Sequence, residues 1–241
     1  MPEPLTLLCL PCAGASTTMY LRWRRSLPAW IVLHPVELPG RGHRIAEPAA
    51  EHFERLVERL CEEHSASMSG RYALFGHSMG ALLAYGMAVR SSILSRALPL
   101  ALLLSATAAP SRRNFACFAD GQDDASLIAI LRKQGGTPEE VFANPELLRM
   151  VLDVLGSDYR LCSSFQDMNS PPLSAPIYVF AGDEDDIEAD QLEAWRLRTS
   201  GDFSLQWFDG GHFFIQRQEA QVLSRIPQLL LEASRASPSL T

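Results

Sequence analysis

Short apolar runs recur along the chain, and polar or glycine-rich segments separate them. Most of these runs are continuous rather than alternating, which is typical of strands that are buried on both faces of a parallel sheet. Helical patterns lie between them, and the alternation predicts an α/β fold with a mainly parallel central sheet and helices on both faces. The predicted strands cover residues 6–10, 31–36, 72–75, 99–105, 177–181 and 203–208. The clearest helical stripe consists of Phe53, Leu56, Val57, Leu60 and Cys61.

The pattern changes after the fourth predicted strand, and strand-like runs are missing from about residue 106 to residue 172. Two helix starts are marked in this region. Thr137-Pro-Glu-Glu140 has the form of a capping box with proline at the first helical position, and Asn144 precedes a second proline. We therefore predict one domain over residues 1–241, interrupted in this region by a helical lid insertion. An ordinary helical layer is the alternative.

The central segment is 72–85, where an apolar run leads through Gly76-His77-Ser78-Met79-Gly80 into an alanine-rich helix. A G-x-S-x-G pattern between a strand and a helix is typical of a nucleophile elbow, a sharp turn that holds an exposed serine in a strained conformation. A side chain at either glycine would clash where the two backbones pack closely. The bare pattern is common, but its strand-turn-helix context makes Ser78 the predicted nucleophile.

A serine hydroxyl needs a general base, and that base needs a carboxylate that orients it. Hydrolases with this elbow run in the order serine, acid, histidine, and His212 is the one histidine that follows the elbow. The acid is expected after the penultimate strand, where Gly182-Asp-Glu-Asp-Asp186 contains four carboxylates in a row. Such a run is commonly a solvated turn. Asp185 is the preferred acid, with Asp183 and Asp186 as alternatives.

Two backbone N–H groups are also needed to stabilise the oxyanion of a tetrahedral intermediate. One comes from the residue after the nucleophile, here Met79, at the N-terminus of the predicted helix. The other is expected from the loop after an early strand, and Pro11-Cys12-Ala13-Gly14 occupies that place. Ala13 is the predicted donor, with Cys12 and Gly14 as its neighbours.

Composition and charge limit the classes of partner molecule and the cellular compartment that fit this sequence. Of the 241 residues, 47% are hydrophobic and 20% are charged, and the net charge of -7 argues against a nucleic-acid partner. The first apolar run is too short for a signal sequence or a membrane span, which predicts a cytoplasmic protein without a membrane partner. The five cysteines are scattered, as in a reducing compartment. Cys9 and Cys12 form a C-x-x-C, for which a redox or metal role is the weaker alternative.

In combination, these motifs resemble those of the type II (external) thioesterases that accompany nonribosomal peptide and polyketide synthases, a branch of the α/β-hydrolases. The matching segments run in family order across nearly the whole chain and are LPCAGAS, VELPGRGHR, FGHSMGALLAY, GGTPEEVFANPELL, GDEDD and FDGGHFF. The resemblance implies an α/β-hydrolase fold with a helical lid at about 106–165 and an oxyanion hole at Met79 and Ala13. It also implies a catalytic triad of Ser78, Asp185 and His212.

Two positions depart from the family pattern: Ala15, where a second glycine is usual, and Gly86, where glutamate is usual. Neither belongs to the triad. The implied activity is hydrolysis of acyl thioesters on the phosphopantetheine arm of acyl- or peptidyl-carrier proteins, which clears stalled or misprimed chains without a metal or organic cofactor. A monomer is expected. The alternatives are a small-molecule serine esterase or acyltransferase of the same fold, and a binding protein without turnover.

Overall fold

The computed structural model describes residues 2–113, 123–167 and 170–236. Its strands are β1 (Leu5–Leu10), β2 (Ile31–Pro35), β3 (Tyr72–His77), β4 (Leu102–Ser105), β5 (Ile177–Gly182) and β6 (Phe203–Phe208). They form one six-stranded sheet in the order β2-β1-β3-β4-β5-β6, and each neighbouring pair is parallel. The carboxyl ends of all six strands therefore meet at one edge, which is where ligands bind in open parallel sheets.

Helices follow or precede most strands. The α-helices are α1 (Phe53–Glu63), α2 (Ser65–Met68), α3 (Met79–Ile93), α4 (Asp124–Gln134), α5 (Glu139–Ala143), α6 (Pro145–Ser163), α7 (Ala189–Glu193), α8 (Phe214–Arg217) and α9 (Glu219–Ala236). Short 3₁₀ segments cover Thr17–Arg25, Gly42–Arg44, Pro110–Arg112 and Ala194–Arg198. Within the described ranges, no helix combines the length and apolarity that crossing a membrane requires.

The side chains of β1 alternate between the two faces of the sheet. Leu8 and Leu10 join a buried cluster with α1 and α3, whereas Leu5, Leu7 and Cys9 join a second cluster with α9. Because successive strand side chains point to opposite faces, a strand that is covered on both faces has to be apolar throughout. The prediction of an α/β fold with a parallel sheet and helices on both faces is confirmed.

Some predicted element boundaries differ from those in the structure. β4 begins at Leu102 rather than at Pro99, since proline has no N–H to donate to a strand ladder. The predicted capping box at Thr137 is wrong, because Pro138 has the extended conformation of an N-cap and α5 begins only at Glu139. The second predicted cap is confirmed: the Asn144 side chain accepts hydrogen bonds from the first turn of α6.

Helices α4, α5 and α6 lie between β4 and β5, where the sequence pattern predicts the lid insertion. Helices α4 and α6 share a buried cluster of Leu127, Leu131, Leu152, Leu155 and Tyr159, and Phe142 of α5 packs against it. Residues 114–122 of the predicted insertion lie outside the described residues. The role of these helices as a lid remains a prediction, and so does the single domain over residues 1–241.

Candidate active site

The turn between β3 and α3 has the strained geometry of a nucleophile elbow. Ser78 has φ 55° and ψ -115°, a conformation that L residues rarely adopt. Packing leaves no space for an alternative: a Cβ on Gly76 would lie 2.1 Å from the Gly80 carbonyl oxygen, and a Cβ on Gly80 would lie 2.1 Å from the Leu10 carbonyl oxygen. The Ser78 N–H donates to the Ser105 carbonyl at 2.8 Å, which ties the turn to the end of β4.

The predicted histidine and acid lie against each other at the same edge of the sheet. The Nδ1 of His212, in the loop after β6, is 2.8 Å from Oδ2 of Asp185, in the loop after β5. Both side chains are shielded, with exposed fractions of 11% and 8%. The second carboxylate oxygen of Asp185 accepts the Asp186 N–H at 2.8 Å, so both oxygens have fixed partners. A histidine that is held at Nδ1 by a carboxylate has its orientation fixed and can act as a base through Nε2.

The neighbouring carboxylates have other partners. Asp183 accepts the Gly210 N–H at 2.9 Å and so supports the loop that carries His212. Asp186 is 73% exposed and pairs with Lys133 of α4 at 2.5 Å. Of the three carboxylates considered, the structure therefore brings Asp185 to His212. It assigns no such contact to Asp183 or Asp186.

His77 lies beneath the candidate site and is fully buried. Its ring is 5.2 Å from the His212 ring and 5.3 Å from the Phe213 ring, and its Nδ1 is 2.9 Å from the Ser105 hydroxyl. Burial, together with the nearby His212, places the pKa of His77 well below its ordinary value. His77 therefore packs against the His212 ring, and its lowered pKa disfavours a second positive charge at this contact.

The loop after β1 reaches the elbow, as predicted. It packs on Gly80 through the carbonyl groups of Leu10 and Pro11. Within the loop, the Ala15 N–H donates to the Cys12 carbonyl at 3.1 Å, and this turn encloses Ala13. The left-handed backbone conformation falls on Gly14, with φ 76°. The departure at Ala15 therefore leaves the position that needs glycine intact.

Three buried polar residues at this loop were missed by sequence reasoning. Asp158 of α6 pairs with Arg41 at 2.5 Å, and Glu37 accepts hydrogen bonds from the backbone and hydroxyl of Thr17. A signal was available for two of them. Arg41 belongs to the P-G-R-G segment (residues 39–42) of the VELPGRGHR motif, for which the sequence indicated no role. Asp158 falls three residues after Leu155 on the apolar side of α6.

The C-x-x-C pair does not have the environment of a reactive thiol. Cys9 and Cys12 are both buried and free. Burial raises the pKa of Cys12 to about 12 and that of Cys9 well above its ordinary value. Reactive cysteines instead have a lowered pKa and partial exposure. The geometry gives no support to the redox alternative.

The parallel sheet, the strained serine turn after β3 and the histidine–carboxylate pair at the same edge define a protein of the α/β-hydrolase type. More narrowly, the chain belongs to the thioesterase domain family, which matches residues 5–230.

Individual relatives agree with this assignment. The chain is 34% identical to thioesterase PikA5 of Streptomyces venezuelae, over 96% of this chain and 83% of that protein. It is similar to the structure of the type II thioesterase BorB from the borrelidin biosynthetic cluster, with 36% identity and a TM-score of 0.84 over 95% of this chain and 94% of that one. It is also similar to ClbQ from the colibactin NRPS/PKS pathway, with 31% identity and a TM-score of 0.89 over 98% and 100% of the two chains. The protein is a thioesterase close to the type II enzymes of NRPS/PKS clusters, which confirms the resemblance seen in its motifs.

Proposed function

We propose that this protein hydrolyses acyl thioesters on the phosphopantetheine arm of acyl- or peptidyl-carrier proteins and so clears stalled or misprimed chains. The observation that carries the proposal is the 2.8 Å hydrogen bond between His212 and Asp185, at the sheet edge where the strained Ser78 turn lies, in a chain of the thioesterase family. The NRPS/PKS context of ClbQ supports a carrier-bound substrate. The proposed reaction is cytoplasmic and uses no metal or organic cofactor.

In the proposed mechanism, Ser78 is the nucleophile and His212 is the general base. The Nδ1–H of His212 donates to Asp185, so Nε2 takes the proton from the Ser78 hydroxyl. The serine oxygen attacks the thioester carbonyl carbon. The tetrahedral intermediate then expels the sulfur of the arm, which leaves as a thiol with the proton held by His212. Water loses a proton to the same Nε2 and attacks the acyl-serine. The second tetrahedral intermediate then releases the free acid, and His212 returns the proton to the leaving Ser78 oxygen.

Two backbone donors are proposed for the oxyanion. Met79 is the first residue of α3, so its N–H points out of the helix N-terminus and has no partner within the helix. Ala13 lies in the loop after β1, which packs against the elbow. Loss of one such donor typically raises the barrier by about 2.7–4 kcal/mol.

A carrier protein needs a landing surface on this acidic enzyme, whose net charge is -7. Arg22, Arg24 and Arg25 are exposed on the 3₁₀ segment that follows the loop after β1, and we propose them as that surface. Arg112 and Arg113, at the start of the predicted lid, are the alternative. Charge reversal at these three positions should raise KM for a carrier-bound substrate but not for an acyl-coenzyme A. Arg235, exposed on the last turn of α9, is the matched control.

The test of the proposed function is release of free acid from an acetyl-loaded carrier protein. We expect wild-type turnover to fall by about 10⁴- to 10⁶-fold in Ser78→Ala and by about 10⁴-fold in Asp185→Asn, because the amide no longer holds the productive imidazole tautomer. Asp186→Asn, which removes an exposed carboxylate, should stay within about twofold of the wild type.

Different outcomes would point to different corrections. Turnover that survives Ser78→Ala would overturn the nucleophile. Equal losses in Asp185→Asn and Asp186→Asn would overturn the assignment of the acid. A folded wild type that reacts with a fluorophosphonate at Ser78 but leaves the carrier thioester intact would favour a small-molecule esterase or acyltransferase.

A further inference from the structure

The P-G-R-G segment holds a buried ion pair with α6. Arg41 makes two parallel hydrogen bonds to Asp158, from Nη1 to Oδ2 at 2.6 Å and from Nη2 to Oδ1 at 2.5 Å. The two side chains are only 7% and 2% exposed. A bidentate pair of this kind fixes orientation as well as distance.

Both partners of this pair also bind the loop after β1. Oδ2 of Asp158 accepts the Gly14 N–H at 2.8 Å, and Nη1 of Arg41 donates to the Ala15 carbonyl at 3.1 Å. The adjacent turn, from the Ala15 N–H to the Cys12 carbonyl, encloses Ala13. The ion pair therefore binds the backbone of Gly14 and Ala15, the two residues that follow the proposed oxyanion donor Ala13.

The carboxylate comes from a helix between β4 and β5. Asp158 lies one turn after Leu155 on α6, and a Cβ on Gly14 would be 3.3 Å from Leu155 Cδ1. Helix α6 therefore contacts the loop with an apolar side chain and with a charge. If α6 moves away, the Gly14 N–H loses its acceptor and Arg41 loses its counter-charge.

Stability alone is a weak reason for such a pair. The penalty for taking two charges out of water commonly cancels their attraction, and apolar replacements are often neutral or stabilising. A role in positioning is the better account, since the pair has a fixed geometry and its remaining hydrogen bonds go to one catalytic loop. Displacing a donor by about 1 Å is enough to slow a reaction by about 100-fold.

We propose that Arg41 and Asp158 are positioning residues that couple the oxyanion hole to the placement of α6. When α6 lies against the loop, Asp158 holds Gly14 and thereby the Ala13 N–H in the place where the oxyanion forms. This inference rests on the proposed function, because it takes Ser78 as the nucleophile and Ala13 as a donor.

The experiment removes both charges together, so that no unpaired charge stays buried. We compare Arg41→Met/Asp158→Leu with the wild type in the carrier assay and in binding of an alkyl boronic acid, which forms a tetrahedral adduct with an active serine. We expect kcat to fall about 10- to 100-fold with little change in KM, and boronic acid affinity to fall by a similar factor. Asp158→Asn keeps one oxygen that can accept the Gly14 N–H. Its kcat and boronic acid affinity should therefore lie between those of the wild type and those of Arg41→Met/Asp158→Leu.

The matched control is Arg198→Met/Asp167→Leu, which removes another shielded ion pair, between a residue before β5 and a residue before β6. It should leave kcat and boronic acid affinity unchanged. A folded Arg41→Met/Asp158→Leu protein with wild-type kcat and boronic acid affinity would overturn the inference. If that variant fails to fold, wild-type kcat and boronic acid affinity in a folded Asp158→Asn protein would overturn it in the same way. Ser78→Ala, measured alongside, separates this outcome from failure of the proposed function.

Discussion

The two sides of the candidate site are held in different ways. On the elbow side, backbone packs on backbone within a few residues, and a Cβ on Gly76 would lie 2.1 Å from the Gly80 carbonyl oxygen. On the other side, the loop after β1 is held by side chains far along the chain, since Gly14 binds Asp158 and Ala15 binds Arg41. The proposed nucleophile is thus positioned by close backbone packing, whereas its proposed oxyanion donor depends on side chains from two distant segments.

Because the two sides are held differently, substitutions on each side should affect different properties of the protein. A larger residue in the elbow forces β3 and α3 apart, because the atoms it would meet belong to the backbone and cannot move aside as a flexible side chain can. A defect in the anchors of the loop leaves the sheet intact and changes the position of one N–H. We therefore expect substitutions on the elbow side to act mainly on folding, and substitutions around the loop to act mainly on kcat.

The largest expected effect is on the elbow. Gly76→Ala should lower the free energy of unfolding by more than about 3 kcal/mol, or prevent folding, because its Cβ meets backbone atoms that cannot move independently. Gly70→Ala is the control, since a Cβ there meets nothing within 4 Å and should change stability by less than about 0.5 kcal/mol. Urea unfolding measures both. Equal stability of the two variants would show that the elbow is not held by close packing.

The second prediction concerns pH and the buried His77. Burial and His212 depress its pKa in the folded state, so below about pH 6.5 the unfolded chain binds a proton that the folded protein does not. The unfolding free energy should therefore fall as the pH falls, by up to about 1.4 kcal/mol per pH unit from this group. His34 and His64, whose pKa values burial also lowers, add to the wild-type slope.

The contribution of His77 is the difference between the wild type and His77→Gln in the slope of unfolding free energy against pH. His77→Gln should flatten the dependence of unfolding free energy on pH between about 6.5 and 5, even if it lowers stability at every pH. His52→Gln, at an exposed position, should keep the wild-type slope. A slope that is the same in both variants would mean that folding does not lower the pKa of His77.

The same difference between the two sides explains what the sequence could predict. The elbow, His212 and the choice of Asp185 were all read from local patterns and chain order, and the structure brings the last two together at 2.8 Å. The pairing of Arg41 with Asp158 joins residues 117 positions apart, and no local pattern states which charges will meet across that distance. The local pattern alone does not distinguish Asp185 from the other three carboxylates of residues 183–186. Which of them reaches His212 depends on the conformation of the turn.

The third prediction tests the loop side through a buried tyrosine. The Tyr20 hydroxyl donates to the Leu10 carbonyl at 2.8 Å, directly before the loop, and Tyr72 makes an equivalent bond to the Ala97 carbonyl away from it. Both Tyr→Phe changes should lower the unfolding free energy by about 1 kcal/mol. Only Tyr20→Phe should also lower kcat, by roughly three- to tenfold. Equal kcat in the two variants would contradict a loop positioned by its anchors.

The smallest expected effect is at Glu37, which holds the far end of the loop. Its carboxylate accepts the Thr17 N–H at 3.1 Å and the Thr17 hydroxyl at 3.0 Å. Thr17→Val removes only the second bond, so we expect a loss of about 0.5–1 kcal/mol in unfolding free energy and a fall in kcat of about twofold. Thr18→Val is the control, since the Thr18 hydroxyl contacts only the exposed Ser16 hydroxyl at 2.8 Å. A kcat loss in Thr17→Val as large as that of Arg41→Met/Asp158→Leu would show that Glu37, rather than the α6 ion pair, is the principal anchor, and the coupling to α6 would then be secondary.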